Sequence, residues 1–191
     1  MKIIGVENNY SPAASDSTQA WFVLADSAIT NTGKPFYIPE NVGRVNVSPG
    51  IALRINRLGK HIAPRFAGRY YSEHVPVLLF SLPDVEADLR SKGLPTDASR
   101  NFDRALFAGD FKSRDELVEL ALYKNKDKVS LFSLCNLVLS IENIISRVSE
   151  INTLKIGDLI IPALGESVNI DIDDFLEVVC DDELLFHVKV K

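Results

Sequence analysis

The sequence predicts an α+β fold that is rich in strands and has few helices. Short apolar runs bounded by Gly, Pro, Asn or Asp recur along the 191 residues, which is the pattern of strands joined by turns. One stretch, residues 133–152, has apolar residues three and four positions apart and predicts the clearest amphipathic helix. No internal repeat or low-complexity tract divides the chain, so we expect a single domain over residues 1–191.

The first half of the chain predicts strands separated by one long loop. Residues 2–6 and 20–24 are β-rich runs, each ended by turn residues. Residues 31–43 contain two Pro, two Gly and two Asn, which predicts an extended loop with turns. Residues 45–56 resume a strand whose IALRI run has the continuous apolar character of a buried strand, and Gly59 turns the chain.

The second half predicts one further helix and several strands. Residues 85–93 combine helix-forming residues with a Gly-Leu-Pro stop. Residues 113–123 fit either a capped helix or a strand after a turn, and residues 123–132 read as a polar bend that enters a strand. Three strand-like segments follow the amphipathic helix; they are 154–164, 168–180 and 183–190.

Composition and cysteine usage favour a cytoplasmic protein that does not enter membranes. The longest nearly unbroken apolar run, residues 75–82, is far shorter than the ~20 residues of a membrane helix. The first ten residues are too polar for the core of a signal peptide. Cys135 and Cys180 lack CxxC spacing, so we expect reduced thiols in the cytoplasm.

The net charge of −5 opposes generic nucleic-acid binding, because contacts to phosphates need a basic face. One stretch is an exception: it gathers Arg54, Arg57, Lys60, His61, Arg65 and Arg69. A phosphate or carboxylate can dock on such a stretch, although a solvated loop whose Arg stems pack on neighbours is the favoured interpretation.

Common catalytic and metal-binding motifs are not found. The three histidines have neither HExxH nor zinc-finger spacing, and the acidic clusters at 171–174 and 181–183 read as turn residues rather than calcium loops. GxSxG, Walker and Rossmann glycine patterns are missing as well. Motifs alone therefore predict no reaction.

Several segments, in order and spacing, resemble the fumarylacetoacetate hydrolase family. The resemblance is carried by residues 54–75 (RINRLGKHIAPRFAGRYYSEHV), 84–103 (DVEADLRSKGLPTDASRNFD), 2–10 (KIIGVENNY), 22–29 (FVLADSAI), 132–160 and 173–190. It implies a mixed β roll that forms a homodimer or a heteromer with an active relative. Members of the family hold Mg²⁺ or Mn²⁺ with three carboxylates and act on keto acids, which implies a small carboxylate ligand.

The positions that the resemblance assigns to chemistry carry other residue types here. The family's Glu-x-Glu falls on Ser48 and Gly50 and its metal-binding Asp on Leu79. The family's catalytic His falls on Ala13 and its catalytic Lys on Leu24. The family's Gly-Thr-Pro turn falls on residues 163–165, with Leu164 at the centre. A hydroxyl, a bare backbone and an aliphatic side chain do not offset the dehydration of a hard dication, so we expect no metal and no cofactor.

Three functions remain open from the sequence, the weakest of which is a purely structural role with no ligand. The favoured one is a non-catalytic member with a binding, regulatory or assembly role. The alternative is a metal-independent C–C hydrolase, hydratase, decarboxylase or isomerase of small keto or hydroxy acids that uses Arg100, Asp103, Lys60 or His61. Arg100 and Asp103 either line a pocket that holds an anion or form an ion pair that fixes their loop.

Overall fold

A large mixed sheet and a smaller antiparallel sheet carry the fold in the computed structural model, which describes residues 1–10 and 18–191. The strands of these ranges are β1 (Ile3–Glu7), β2 (Ala20–Leu24), β3 (Ile29–Asn31), β4 (Val45–Ile55), β5 (Tyr71–Ser81), β6 (Leu106–Ala108), β7 (Lys112–Ser113), β8 (Glu119–Lys124), β9 (Asp127–Ser133), β10 (Leu159–Ile161), β11 (Val168–Ile170), β12 (Phe175–Cys180) and β13 (Glu183–Lys189). The α-helices are α1 (Pro64–Ala67), α2 (Pro83–Ser91) and α3 (Ile141–Ile151). The strand-rich α+β class predicted from the sequence is confirmed.

The large sheet is mixed in strand direction. Its order over the described residues is β2-β1-β10-β4-β5-β6-β3, with β11 also paired to β4 and β7 to β5. The β1–β10 and β3–β6 pairs are parallel, and the others are antiparallel. The second sheet has the order β13-β12-β8-β9, and all its pairs are antiparallel.

Strands β4 and β5 form the centre of the large sheet and are buried along nearly their whole length. Apolar clusters cover both faces of the pair, which explains why each strand reads as a continuous apolar run rather than an alternating one. The sequence predicts β4 but does not predict β5 as a strand. In the sequence, residues 75–82 appear only as an apolar run that is too short to cross a membrane. All of this run except Leu82 belongs to β5, a strand that begins earlier, at Tyr71.

Helix α3 confirms an amphipathic helix within the predicted stretch, but it begins only at Ile141, whereas residues 133–140 contain the end of β9 and a 3₁₀ turn over Leu134–Asn136. The hydroxyl of Ser140 caps its first turn by accepting from the backbone NH of Asn143 at 3.3 Å. Its buried side chains, Ile144, Ile145 and Val148, pack in a cluster with residues of β1, β4 and β10. None of the helices in the described ranges has the length and apolar character that a bilayer crossing requires.

The chain between residues 113 and 133 forms a turn and then the β8–β9 hairpin, so the strand alternative is the one the structure shows. Asn125 and Lys126 turn the hairpin with φ of 53° and 78°. The Asn125 amide ties this turn to the second sheet, because it donates to Asp174 at 2.7 Å and accepts from the Phe175 NH at 2.9 Å.

Candidate functional site

A cavity of about 810 Å³ opens beside the β4–β5 pair. Its described lining comprises Val6, Glu7, Asn8, Asn9, Tyr10, Ser48, Leu79, Ser81, Glu86, Arg90, Arg100, Leu131, Ala163, Leu164, Gly165, Glu166 and Ser167. The volume falls in the range of small-molecule sites, and the lining mixes apolar side chains with a few polar ones as such sites do.

Ser48 and Leu79 lie directly opposite each other in the β4–β5 ladder, and both line the cavity. They are 8% and 3% exposed. Gly50 lies two residues from Ser48 on the same face of β4, because side chains alternate along a strand. Gly50 lies outside the described cavity lining, because it forms a β-bridge with Leu164. A Cβ at this position would lie 3.1 Å from Leu164 Cδ2 and 3.2 Å from the carbonyl oxygen of Ala163, so a larger residue needs Leu164 to move.

An ionic network forms the polar wall of the cavity. The Arg100 guanidinium forms ion pairs with Glu7 and, at 3.3 Å, with Glu86. Its Cζ lies 4.7 Å from the centroid of the Phe22 ring, and its side chain is 15% exposed. Glu86 also pairs with Arg90 of its own helix at 2.5 Å. Two carboxylates and two guanidinium groups therefore neutralise one another at this wall.

Asn9 and Tyr10 line the cavity but also fasten its wall. The Asn9 amide donates to the carbonyl of Pro162 at 3.0 Å and accepts from the Leu139 NH at 2.7 Å. The Tyr10 hydroxyl accepts from the Ser133 NH at 3.1 Å, and its ring stacks on Phe132 with centroids 5.0 Å apart. These polar groups of the lining are therefore already bonded within the protein.

The structure gathers some of the residues singled out in the sequence and separates others. Ser48, Leu79, Arg100 and Leu164 line the cavity. Leu24 is 1% exposed and lies in the core cluster that includes Leu79, against which Leu164 packs. Gly50 is covered by Leu164, and Ala13 lies outside the described residues.

Asp103 is exposed and lies outside the described cavity lining, so the carboxylate partners of Arg100 are Glu7 and Glu86. Sequence reasoning missed both glutamates. The i, i+4 spacing of Glu86 and Arg90 on α2 could have indicated one of these ion pairs. Glu7 is 93 positions from Arg100, and no local pattern links the two residues.

The residues at the cavity floor and the neighbouring Gly50 do not fit a divalent cation. Ser48 offers a hydroxyl, Leu79 offers no ligand atom, and Gly50 has no side chain, whereas Mg²⁺ and Mn²⁺ need anionic oxygen ligands. In the described ranges, no group of three or more His, Cys, Asp or Glu side chains is arranged to hold a metal ion.

Residues 2–162 match the model of the fumarylacetoacetate (FAA) hydrolase C-terminal family. This match covers well over half of the chain, so the protein belongs to the fumarylacetoacetate hydrolase family.

Curated relatives have activities in their names. The chain is 24% identical over 201 aligned positions to the mitochondrial oxaloacetate tautomerase FAHD1 of Mus musculus, with 99% of this chain and 91% of the relative covered. The chain is 21% identical over 179 aligned positions to the oxaloacetate tautomerase YcgM of Escherichia coli. This alignment covers 87% of this chain and 82% of the relative.

Solved structures establish the fold. A fumarylpyruvate hydrolase from Pseudomonas aeruginosa was solved in complex with Mn²⁺ and pyruvate. It superposes on this chain with a TM-score of 0.90 at 16% sequence identity, and the superposition covers 100% of this chain and 89% of the hydrolase chain. A 2-hydroxyhepta-2,4-diene-1,7-dioate isomerase from Mycobacterium marinum superposes with a TM-score of 0.85 at 20% sequence identity. The superposition covers 99% of this chain and 73% of the isomerase chain. The mixed β roll implied by the sequence resemblance is confirmed.

Proposed function

We propose that this chain is a non-catalytic member of its family, with a binding, regulatory or assembly role that uses the family's fold and cavity. The observation that carries the proposal is the pairing of Ser48 with Leu79 at the cavity floor, beside a Gly50 that Leu164 covers. By resemblance, these three positions are where family members place their metal-binding carboxylates. No side chain there supplies the negative charge that offsets dehydration of Mg²⁺ or Mn²⁺.

Glu7 and Glu86, two of the three carboxylates in the described lining, are poor substitutes for the family's three ligands, and the third, Glu166, is an exposed side chain. Glu7 and Glu86 are both bound to Arg100, whose side chain is only 15% exposed. Drawing either carboxylate toward a cation would leave a largely buried guanidinium with fewer partners, which is costly in a site of low polarity. This competition supports a cavity that works without a metal.

The proton-transfer positions support the same proposal. By resemblance, the family's catalytic His and Lys fall on Ala13 and Leu24, and neither alanine nor leucine transfers a proton. Leu24 is 1% exposed within the core, so its side chain contributes packing. The proposal also includes self-association or a heteromer with an active relative, and a cytoplasmic location. The free thiols of Cys135 and Cys180 support a reducing compartment.

A second candidate, a metal-independent enzyme acting on small keto or hydroxy acids, is favoured by one observation. Leu79 and Leu164 leave the cavity open rather than filled, with polar groups from Ser48, Glu7 and Arg100 in its lining. A positioned guanidinium can stabilise developing negative charge without a cation. It ranks second because Arg100 already binds two carboxylates, with which a substrate carboxylate would compete.

The test is an assay of the purified protein with oxaloacetate and fumarylpyruvate, with added Mn²⁺ or with a chelator, together with Mn²⁺ titration calorimetry. No turnover and no stoichiometric Mn²⁺ binding are the results expected. Turnover that persists in chelator and is lost in Arg100→Met but kept in Arg90→Met would establish the second candidate instead. Turnover that needs Mn²⁺ and stops with chelator would overturn both.

A further inference from the structure

We propose that residues 56–72, called here the basic segment, form a docking surface for an acidic, leucine-bearing segment of a partner protein. The basic segment carries Arg57, Lys60, Arg65 and Arg69 and contains no Asp or Glu. Because these four charges belong to a chain with a net charge of −5, the remainder of the molecule carries −9. The positive charge is therefore local, and it contrasts with the rest of the surface.

The cations of the basic segment are available to a partner. Arg57, Lys60, Arg65 and Arg69 are exposed, and within the described residues none of them forms an ion pair with a carboxylate. Nearby cations outside the segment differ, since Arg54 pairs with Glu73 and Arg114 with Asp115. Carboxylates of a partner can therefore bind here without displacing an internal ion pair.

Aromatic rings hold the guanidinium groups in place. Arg65 and Arg69 place their Cζ atoms 4.7 and 5.2 Å from the centroid of the Phe66 ring, and Arg57 lies 5.9 Å from that of Tyr70. The Cζ atoms of Arg65 and Arg69 are therefore separated by at most the sum of their distances to the Phe66 centroid. Like charges held at one ring repel each other, and carboxylates of a partner relieve this repulsion when they bind these guanidinium groups in the bidentate geometry that arginine offers.

The backbone of the basic segment is fixed before any partner binds. Gly59 and Leu154 exchange two backbone hydrogen bonds of 3.0 and 2.8 Å. The NH groups of His61 and Ile62 donate to the carbonyl and hydroxyl oxygens of Ser149, both at 2.9 Å. A surface held in this way loses little conformational entropy when it docks, which favours binding.

Exposed aliphatic side chains within the basic segment and on the chain that packs against it favour a protein partner. Leu58, Ile151 and Ile156 are 63%, 67% and 71% exposed, and Leu58 and Ile156 flank the Gly59–Leu154 pairing. Apolar side chains of a partner can bury against them. A nucleic acid offers phosphates and bases instead, and as a long polyanion it is repelled by the remaining −9 charge. An anionic membrane meets the same repulsion. The Phe66 ring is also less available for insertion into a membrane, because two guanidinium groups already pack on it.

The experiment measures binding of a fluorescent synthetic peptide of Glu and Leu residues by anisotropy. Single-stranded DNA of equal charge and phosphatidylserine-containing vesicles are the competing probes. The wild-type chain should bind the peptide more tightly than either competitor. Arg65→Glu/Arg69→Glu should weaken peptide binding about tenfold or more, whereas the equally charged control Lys34→Glu/Lys128→Glu, on exposed residues elsewhere, should leave it unchanged.

The apolar part of the surface is tested separately. Leu58→Ser should weaken binding of the peptide, and Leu94→Ser, which alters an exposed leucine on a different loop, should not. A second charge pair, Arg57→Glu/Lys60→Glu, repeats the test with circular dichroism as the check on folding. The proposal is overturned if the peptide does not bind, if charge reversal and control act alike, or if DNA or vesicles bind more tightly.

Discussion

Ser48 and Leu79 face each other across strands β4 and β5, so a hydroxyl and an aliphatic side chain lie side by side at the cavity floor. The register places both residues on the face of the sheet that the cavity contacts. Relatives with this fold include a protein solved with Mn²⁺ and pyruvate. The fold is therefore compatible with bound Mn²⁺ in that protein, and we propose that the cavity of this chain works without a metal.

Charged residues placed at this cross-strand pair should create partial metal affinity. Ser48→Glu/Leu79→Asp puts two carboxylates into a nearly buried position, so the variant should be less stable than wild type by roughly 2–5 kcal/mol without metal. Mn²⁺ should raise its melting temperature in a concentration-dependent way, because a ligand that binds only the folded state stabilises it. Thermal melts with and without Mn²⁺ provide the measurement. Ser48→Gln/Leu79→Asn, the neutral control, should show no metal-dependent shift.

Arg100 should be important for stability because it neutralises the cavity wall. Arg100→Met leaves Glu7 and Glu86 without their shared cation, and we expect a loss of about 1–3 kcal/mol in the free energy of unfolding. Arg90→Met changes a guanidinium that is 73% exposed, and its cost should stay below about 1 kcal/mol. Urea unfolding measures both. Equal costs for the two variants would show that Arg100 does not organise the wall.

Local sequence patterns predict the elements of this fold better than its ionic site. The period of apolar residues predicts α3 but places its start too early, and the residues at the cavity floor, Ser48 and Leu79, could be anticipated from a family resemblance. Asp103 is near Arg100 in sequence, yet the structure leaves it exposed. Long-range packing decides that Glu7 contacts Arg100 instead, and a single sequence contains no local signal for such a pair.

His74 should make the stability of the fold depend on pH. The imidazole is 3% exposed, its Nδ1 lies 2.7 Å from the Leu117 carbonyl oxygen, and its Nε2 is buried with no hydrogen-bond partner in the described residues. Burial lowers the pKa of His74, and the positive charge of Arg114 acts in the same direction, although the hydrogen bond to Leu117 opposes them. The folded state therefore favours the neutral ring with its proton on Nδ1.

The sign of this pH dependence follows from the lowered pKa. The unfolded chain binds the proton of His74 more readily, so stability is greatest above about pH 6.5 and falls as the pH drops below it. His74→Asn retains an NH donor but does not titrate, so its free energy of unfolding should change less between about pH 7 and pH 5. His187→Asn, which replaces an exposed histidine by the same residue, is the matched control. Urea unfolding of wild type and both variants across this pH range measures the three slopes.

Asp158 should anchor the start of the chain to the sheet. Its carboxylate is 2% exposed, forms an ion pair with Lys2 Nζ at 2.7 Å, and accepts from the backbone NH groups of Lys2 and Lys155 at 2.8 and 2.9 Å. Burial alone raises the pKa of Asp158, but the hydrogen bonds and charge of Lys2, with the NH of Lys155, outweigh it and leave the pKa lowered. The ionised carboxylate is therefore the form that stabilises the fold.

Asp158→Asn should lower the free energy of unfolding by about 2–4 kcal/mol at neutral pH, because an amide group cannot accept all three bonds and carries no charge for Lys2. Asp173→Asn, on a side chain that is 86% exposed, should cost less than about 0.5 kcal/mol. A lowered pKa means that the contribution of Asp158 is complete above about pH 4 and declines at lower pH. The difference between wild type and Asp158→Asn in urea unfolding should therefore shrink on acidification, and a difference that stays constant or grows would contradict this role.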